Sequence, residues 1–194
     1  MGKGRLEAFS DGVLAIIITI MVLEMKVPHG DSLADLKPLI PVFISYILSF
    51  VNVAIYWNNH HHLMHAAHKI NAKVMWANSH LLFWLSLMPF ASGWMGENHF
   101  SSLPTAIFGV DLMMSGVAYY ILAQCLIQLH GEDSTLAKAV GRDKKGIISV
   151  VVYATAIALA CFNGWISLSL YGLVAIMWFL PDRRIERKME EGDN

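Results

Sequence analysis

Residues 5–28 read RLEAFSDGVLAIIITIMVLEMKVP. An arginine and a Phe-Ser-Asp triplet stand at the head of a run so apolar that it must leave water, and the run ends only at Glu24. Whether this stretch is a cleaved leader or a membrane span decides the fold. A leader carries a short apolar core followed by a small-residue cleavage site, and Leu23-Glu24-Met25-Lys26-Val27 offers none. The run is therefore expected to be a retained helix with a bilayer as its solvent, because about 20 apolar residues cross the hydrocarbon core as a helix that satisfies its own backbone groups.

The rest of the chain agrees. Of its 194 residues 56% are hydrophobic and 15% charged, against about 25% charged in soluble domains. The net charge of −1 speaks against a nucleic-acid partner, since phosphate binding needs a basic surface. Cys125 and Cys161 fall inside apolar runs and read as small buried hydrophobes. Six stretches have the length and apolarity of spans: roughly 6–25, 38–59, 74–96, 104–129, 147–163 and 165–181. Asn163-Gly164 reads as the tight turn between the last two. Pro89 alone falls well inside a span and predicts a kink there.

Charge sets the direction. Twelve of the fourteen Lys and Arg residues lie on one side of these spans: Lys3, Arg5, Lys69, Lys73, Lys138, Arg142, Lys144, Lys145, Arg183, Arg184, Arg187 and Lys188. Only Lys26 and Lys37 lie on the other. Basic loops stay in the cytoplasm, so both termini are expected there. The expected fold is an all-α integral membrane protein of six transmembrane helices, with one domain over 1–181 and a short charged cytoplasmic tail over 182–194.

On a helical wheel of about 100° per residue, Gly12, Ile16, Thr19, Ile20 and Leu23 share one face. Branched apolar residues with one hydroxyl suit a narrow pore, because hydrophobic rings gate by dewetting and hydroxyls coordinate a partly dehydrated cation. The competing reading has Thr19 bonded to the carbonyl of Ala15, with Gly12 and Ala15 as a packing ridge. Asp11 points about 140° away from Ile16, toward neighbouring helices of its own subunit. A carboxylate there is costly unless paired; Arg5, Trp57, His60, His61 and Asn78 lie at comparable depth.

Arg5, Phe9, Ser10 and Asp11 reproduce an R-x-x-x-F-S-D signature, and DGVLAIIITIMVLEMKVP, YWNNHHHLMH and WANSHLLFWLSLMPF follow it. In these stretches the chain resembles the first three helices of the endosomal and lysosomal transmembrane potassium channels and their bacterial homologues. The resemblance implies a potassium-preferring cation channel. With a single six-span repeat, the chain would be a bacterial homotetramer in the cell inner (plasma) membrane, its central pore lined by the first helix of each subunit. It implies a tightest ring at Ile16, further rings at Ile20 and Leu23, and a selective polar layer at Thr19. Arg5, Phe9, Ser10 and Asp11 would form a structural and gating knot with Trp57, His60 and Asn78. Monovalent cations, K+ foremost, would be the permeating species, with no resident cofactor. No T-V-G-Y-G filter is present, so selectivity would come from side chains in a narrow bore.

The run NHHHLMHAAHK, residues 59–69, is the main rival signal. His61 and His65 have i, i+4 spacing and are weak metal-ligand candidates, but no acid or cysteine lies within the run. A proton- or metal-coupled secondary transporter using Asp11 and these histidines is the alternative function. It would require a charged site near the bilayer midplane, whereas the candidates cluster near one face. Asp111, inside the fourth span, reads as paired with a neighbouring polar group or as an outer vestibule residue. No enzyme motif appears.

Overall fold

The computed structural model describes residues 2–131, 134, 136–137 and 144–179, the side chain of Lys144 excepted. The expected tail over 182–194 and the basic residues Lys138, Arg142, Arg183, Arg184, Arg187 and Lys188 lie outside the described residues.

Among the described residues six long helices stand where six spans are expected: α1 (Lys3–Leu23), α3 (Ile40–Ala66), α4 (Ala72–Glu97), α5 (Ser102–His130), α6 (Lys144–Ala160) and α7 (Gly164–Phe179). Between α1 and α3, a one-turn helix α2 (Leu33–Leu36) leads into a 3-10 turn over Lys37–Leu39. Its start is fixed by Ser32, whose backbone N–H and hydroxyl both donate to Asp35 Oδ2, at 3.1 and 2.5 Å. By length and composition three helices are able to cross a membrane, spanning Lys3–Leu23, Leu33–Ala66 and Ser102–His130; α6 and α7 are shorter apolar helices. Asn78, Ser79, His80, Ser86 and Ser92 dilute the apolarity of α4.

The short connections after α3, α4 and α6 reverse the direction of the chain. At one end, Lys3 Nζ donates to the His65 carbonyl at 3.5 Å, Lys73 Nζ to Gln128 Oε1 at 2.7 Å, and Trp178 Nε1 to Ser149 Oγ at 2.8 Å. The described basic residues Lys3, Arg5, Lys69, Lys73 and Lys145 gather there. At the other end, Lys26 pairs with Glu97 at 2.7 Å; that hydrogen bond and charge hold the Lys26 ammonium above its ordinary range. The pair is exposed and adds little to stability.

α4 is the centre of the bundle, packed against α1, α3 and α5, while α6 and α7 close on α5. Its buried residues lie on several faces and include Val74, Leu81, Leu85, Met88 and Met95. Close crossings need small residues. A Cβ on Gly96 would come within 2.7 Å of the Val42 backbone, and one on Gly164 would collide with the Phe100 carbonyl. The corner before α5 accordingly bends through left-handed conformations at His99 and Phe100 (φ 51° and 60°), and the Phe100 ring meets Trp165 edge-on at 4.5 Å. α4 continues through Pro89, which is buried within it.

Three sequence expectations change. Cys161 is exposed, because α6 ends at Ala160 and the cysteine falls in the turn; Cys125 is buried as expected. The second span runs on to Ala66, so most of the histidine run is helical. Asp111 is buried with neither carboxylate oxygen hydrogen-bonded among the described residues, so it is neither paired nor part of a vestibule in this chain.

Candidate functional site

The two faces of α1 have opposite fates. Leu6, Ser10, Leu14, Ile17 and Met21 recur every three or four residues and are buried against α3 and α4. The opposite stripe is uncovered: Ile16 is 58% exposed, Ile20 40% and Leu23 81%, and Gly12, Ala15 and Thr19 are also exposed. Thr19 Oγ1 donates to the carbonyl of Ile16 at 2.8 Å, one residue later than the Ala15 carbonyl weighed from sequence. Its donor is thereby occupied while its lone pairs remain on the exposed stripe. Gly12 is no packing ridge within the chain, since a Cβ there would meet nothing within 4 Å.

The head of α1 is tied to α3 and α4 by two separate links. Trp57 Nε1 donates to Asp11 Oδ1 at 3.0 Å. Beside it, on the buried side of α1, Asn78 Nδ2 donates to Ser10 Oγ at 2.9 Å, and Asn78 Oδ1 lies 2.8 Å from His60 Nε2. Ser10 in turn donates to the Leu6 carbonyl at 2.9 Å. The carbonyl oxygen of Asn78 can only accept, so His60 carries its proton on Nε2. Ser10, His60 and Asn78 are all buried, and a closed chain of donors and acceptors is what lets them be.

Arg5 and Phe9 stand apart from this knot. On the α1 wheel they fall on the exposed side with Ile16, and Phe9 is 55% exposed. The Arg5 side chain makes no hydrogen bond or ion pair among the described residues, Asp11 included. His61 and His65 are exposed and stack loosely, with ring centroids 6.3 Å apart, and His61 lies against Trp57. Among the described residues no three His, Cys, Asp or Glu side chains converge as a metal site.

One tie escaped sequence reading. His130, at the end of α5, donates from Nδ1 to the Leu126 carbonyl at 2.8 Å. Its Nε2 accepts the backbone N–H groups of His68 and Lys69 at 3.0 and 3.3 Å, pinning the loop after α3. A histidine directly after the span expected over 104–129 was the only available signal.

The architecture is that of an all-helical membrane protein with one apolar helix anchored on a single face and uncovered on the other. Residues 5–89 match the family described as endosomal/lysosomal potassium channel TMEM175. The chain is 53% identical over 191 residues to a potassium channel of Chryseobacterium sp. (strain P1-3), covering 98% of this chain and all of that one. It is 26% identical to a potassium channel of Streptomyces collinus over 91% of each chain. The crystal structure of a lysosomal potassium-selective channel TMEM175 homologue from Chamaesiphon minutus shares the fold, with a TM-score of 0.80 at 24% identity over 92% of this chain and 96% of that one. The chain belongs to the TMEM175 family: its relatives and its fold are those of channels, not enzymes.

Proposed function

We propose that this protein is a potassium-preferring cation channel of the bacterial inner membrane, a homotetramer whose central pore is lined by α1. Ile16, Ile20 and Leu23 form stacked hydrophobic rings, Thr19 supplies the polar layer between them, and both termini are cytoplasmic. The observation that carries this reading is the uncovered stripe on α1. Apolar side chains are exposed on every long helix and suit lipid, but this stripe lies across α1 from a packed one and also carries Gly12 and the Thr19 hydroxyl, which supports like stripes from other copies. The potassium channels of Chryseobacterium and Streptomyces supply the ion.

In this reading an ion sheds part of its hydration shell at the Ile16 ring and is met by Thr19 oxygens, which lie on the same stripe. Asp11, held by Trp57, anchors the pore helix instead of coordinating the ion. Arg5 and Phe9 flank the pore entrance on the exposed side of α1. K+ is cargo, and no resident metal or cofactor takes part. The transporter alternative is not favoured, since Asp11 and His60 are engaged in fixed links near one end of the bundle and not at a mid-depth site.

The test is current through purified protein in a planar bilayer with potassium on one side and sodium on the other. Unitary currents reversing near the potassium potential support the proposal; transport that runs only with a proton gradient and shows no unitary current refutes it.

A further inference from the structure

A half-open groove of ≈ 750 Å³ runs between α3, α5, α6 and α7. That volume lies in the range of about 300–1,000 Å³ typical of small-molecule sites. α1, with its uncovered stripe, takes no part in the lining. The Tyr56 hydroxyl would stand 3.6 Å from a Cβ on Gly116, and the Tyr119 hydroxyl donates to the Asn59 carbonyl at 3.2 Å, which sets these parts of α3 and α5 level with each other. Hydrogen-bonding groups without partners among the described residues line the groove along its whole length. The Tyr56 hydroxyl is one. One turn farther from the basic end, Asn52 is 4% exposed; its Nδ2 donates to the Leu48 carbonyl at 2.8 Å, which leaves Oδ1 unpaired. Tyr153 on α6 is 5% exposed, and its hydroxyl is unpaired as well. Toward the basic end the side-chain amides of Asn59 and Gln124 are half-buried and equally without partners.

Hydrocarbon cannot hydrogen-bond, so an acyl chain in the groove leaves Asn52 Oδ1 and the hydroxyls of Tyr56 and Tyr153 unsatisfied at a cost. An occupant that suits them both accepts from phenols and amides and donates to them. None of the lining side chains is charged, and a charge buried without a counter-charge is expensive, which favours a neutral molecule. Tyr56, Tyr119, Tyr120, Tyr153 and Trp178 present aromatic rings to the groove, and such rings gain from offset or edge contact with another ring. The open side is apolar and well exposed at Ile147 and Val151, which suits entry from hydrocarbon. We propose that the groove binds one neutral amphiphile per chain: a flat ring that carries carbonyl or hydroxyl oxygens, with an apolar tail. The ring oxygens pair with the hydroxyls of Tyr56 and Tyr153, the ring lies against the aromatic walls, and the tail leaves past Ile147 and Val151.

The experiment is native mass spectrometry of the purified full-length protein, titrated with decylubiquinone, cholesterol, dioleoylglycerol and phosphatidylglycerol. One ring compound per chain should be retained about tenfold more tightly than dioleoylglycerol, which is neutral but has no ring, and than phosphatidylglycerol, which is charged. Preference for decylubiquinone assigns a ring carbonyl as the group recognised, and preference for cholesterol a ring alcohol; either supports the proposal. Retention of both at or below the level of the ringless lipids overturns it. Tyr56→Phe and Tyr153→Phe break no hydrogen bond among the described residues, so the melting temperature should hold. Retention of the ring compound should fall about fivefold in each, the worth of one ordinary hydrogen bond. Unchanged retention in the double variant overturns the proposal. Gly116→Leu, whose side chain grows into the groove beside the Tyr56 hydroxyl, should lower retention about tenfold by overpacking. Loss of the oligomer in that variant, with retention unchanged, overturns the proposal in favour of a second copy of the chain as the occupant.

Discussion

The indole N–H of Trp57 reaches across 46 residues of chain to Asp11 Oδ1, 3.0 Å away. An aspartate at the head of a greasy helix is thus the end that α3 holds, and Ile16, Ile20 and Leu23 further along it are the part left uncovered. Trp57→Phe removes the only side-chain donor to Asp11 among the described residues and should cost about 0.6 kcal/mol, the average for an interhelical hydrogen bond in a membrane, and no more than about 1.7 kcal/mol. Unfolding in graded detergent denaturant reads this. Asp11→Asn, which keeps an acceptor for Trp57, should cost less; the reverse order would show that the link is not what anchors the helix.

Asn78 should matter more than Trp57, because its partners have no water to turn to. It is buried completely, between Ser10 on α1 and His60 on α3. Asn78→Leu strands both groups and should cost about 1–3 kcal/mol in the same unfolding measurement. Asn78→Asp, which retains an acceptor for His60, separates loss of the link from loss of shape.

Two glycines on one helix make a paired test of the Phe100 corner. A Cβ on Gly164 collides with the Phe100 carbonyl, while one on Gly172 meets nothing within 4 Å. Gly164→Ala should destabilise by about 1–3 kcal/mol through overpacking. Gly172→Ala should be neutral or stabilising by up to about 1 kcal/mol, since alanine is the better helix former. Melting in detergent should order the variants accordingly.

Removing the His130 acceptor frees two backbone N–H groups in the loop after α3. In His130→Phe, amide exchange at His68 and Lys69 should accelerate about tenfold, while exchange within α4 stays as it was. Unchanged exchange at both amides would mean that the loop is held by other contacts.

The long helices and the two faces of α1 were legible in the sequence, because both depend on apolar content and the 3.6-residue period. The partners of Asp11 were narrowed to a few residues by depth alone; which of them touch it depends on helix rotation. Rotation explains why Trp57 reaches Asp11 while Arg5, only six residues earlier on the same helix, faces the other way. Asp111 misled for a related reason. Its depth was readable, but its burial without a partner follows from the way α5 packs against its neighbours, which no local pattern encodes. The α2 turn, the left-handed corner at His99 and Phe100 and the bonds of His130 lie in connections, where composition carries little periodic signal.

The measurement that tests the central claim most directly is single-channel current from reconstituted protein under opposed potassium and sodium gradients, compared with Ile16→Ala and Thr19→Ala. If α1 lines the pore, Ile16→Ala widens the tightest ring and raises conductance and leak, and Thr19→Ala shifts the reversal potential toward that of a non-selective pore. If conductance and reversal potential are the same in all three proteins, ions do not pass along α1, and the uncovered stripe serves another purpose.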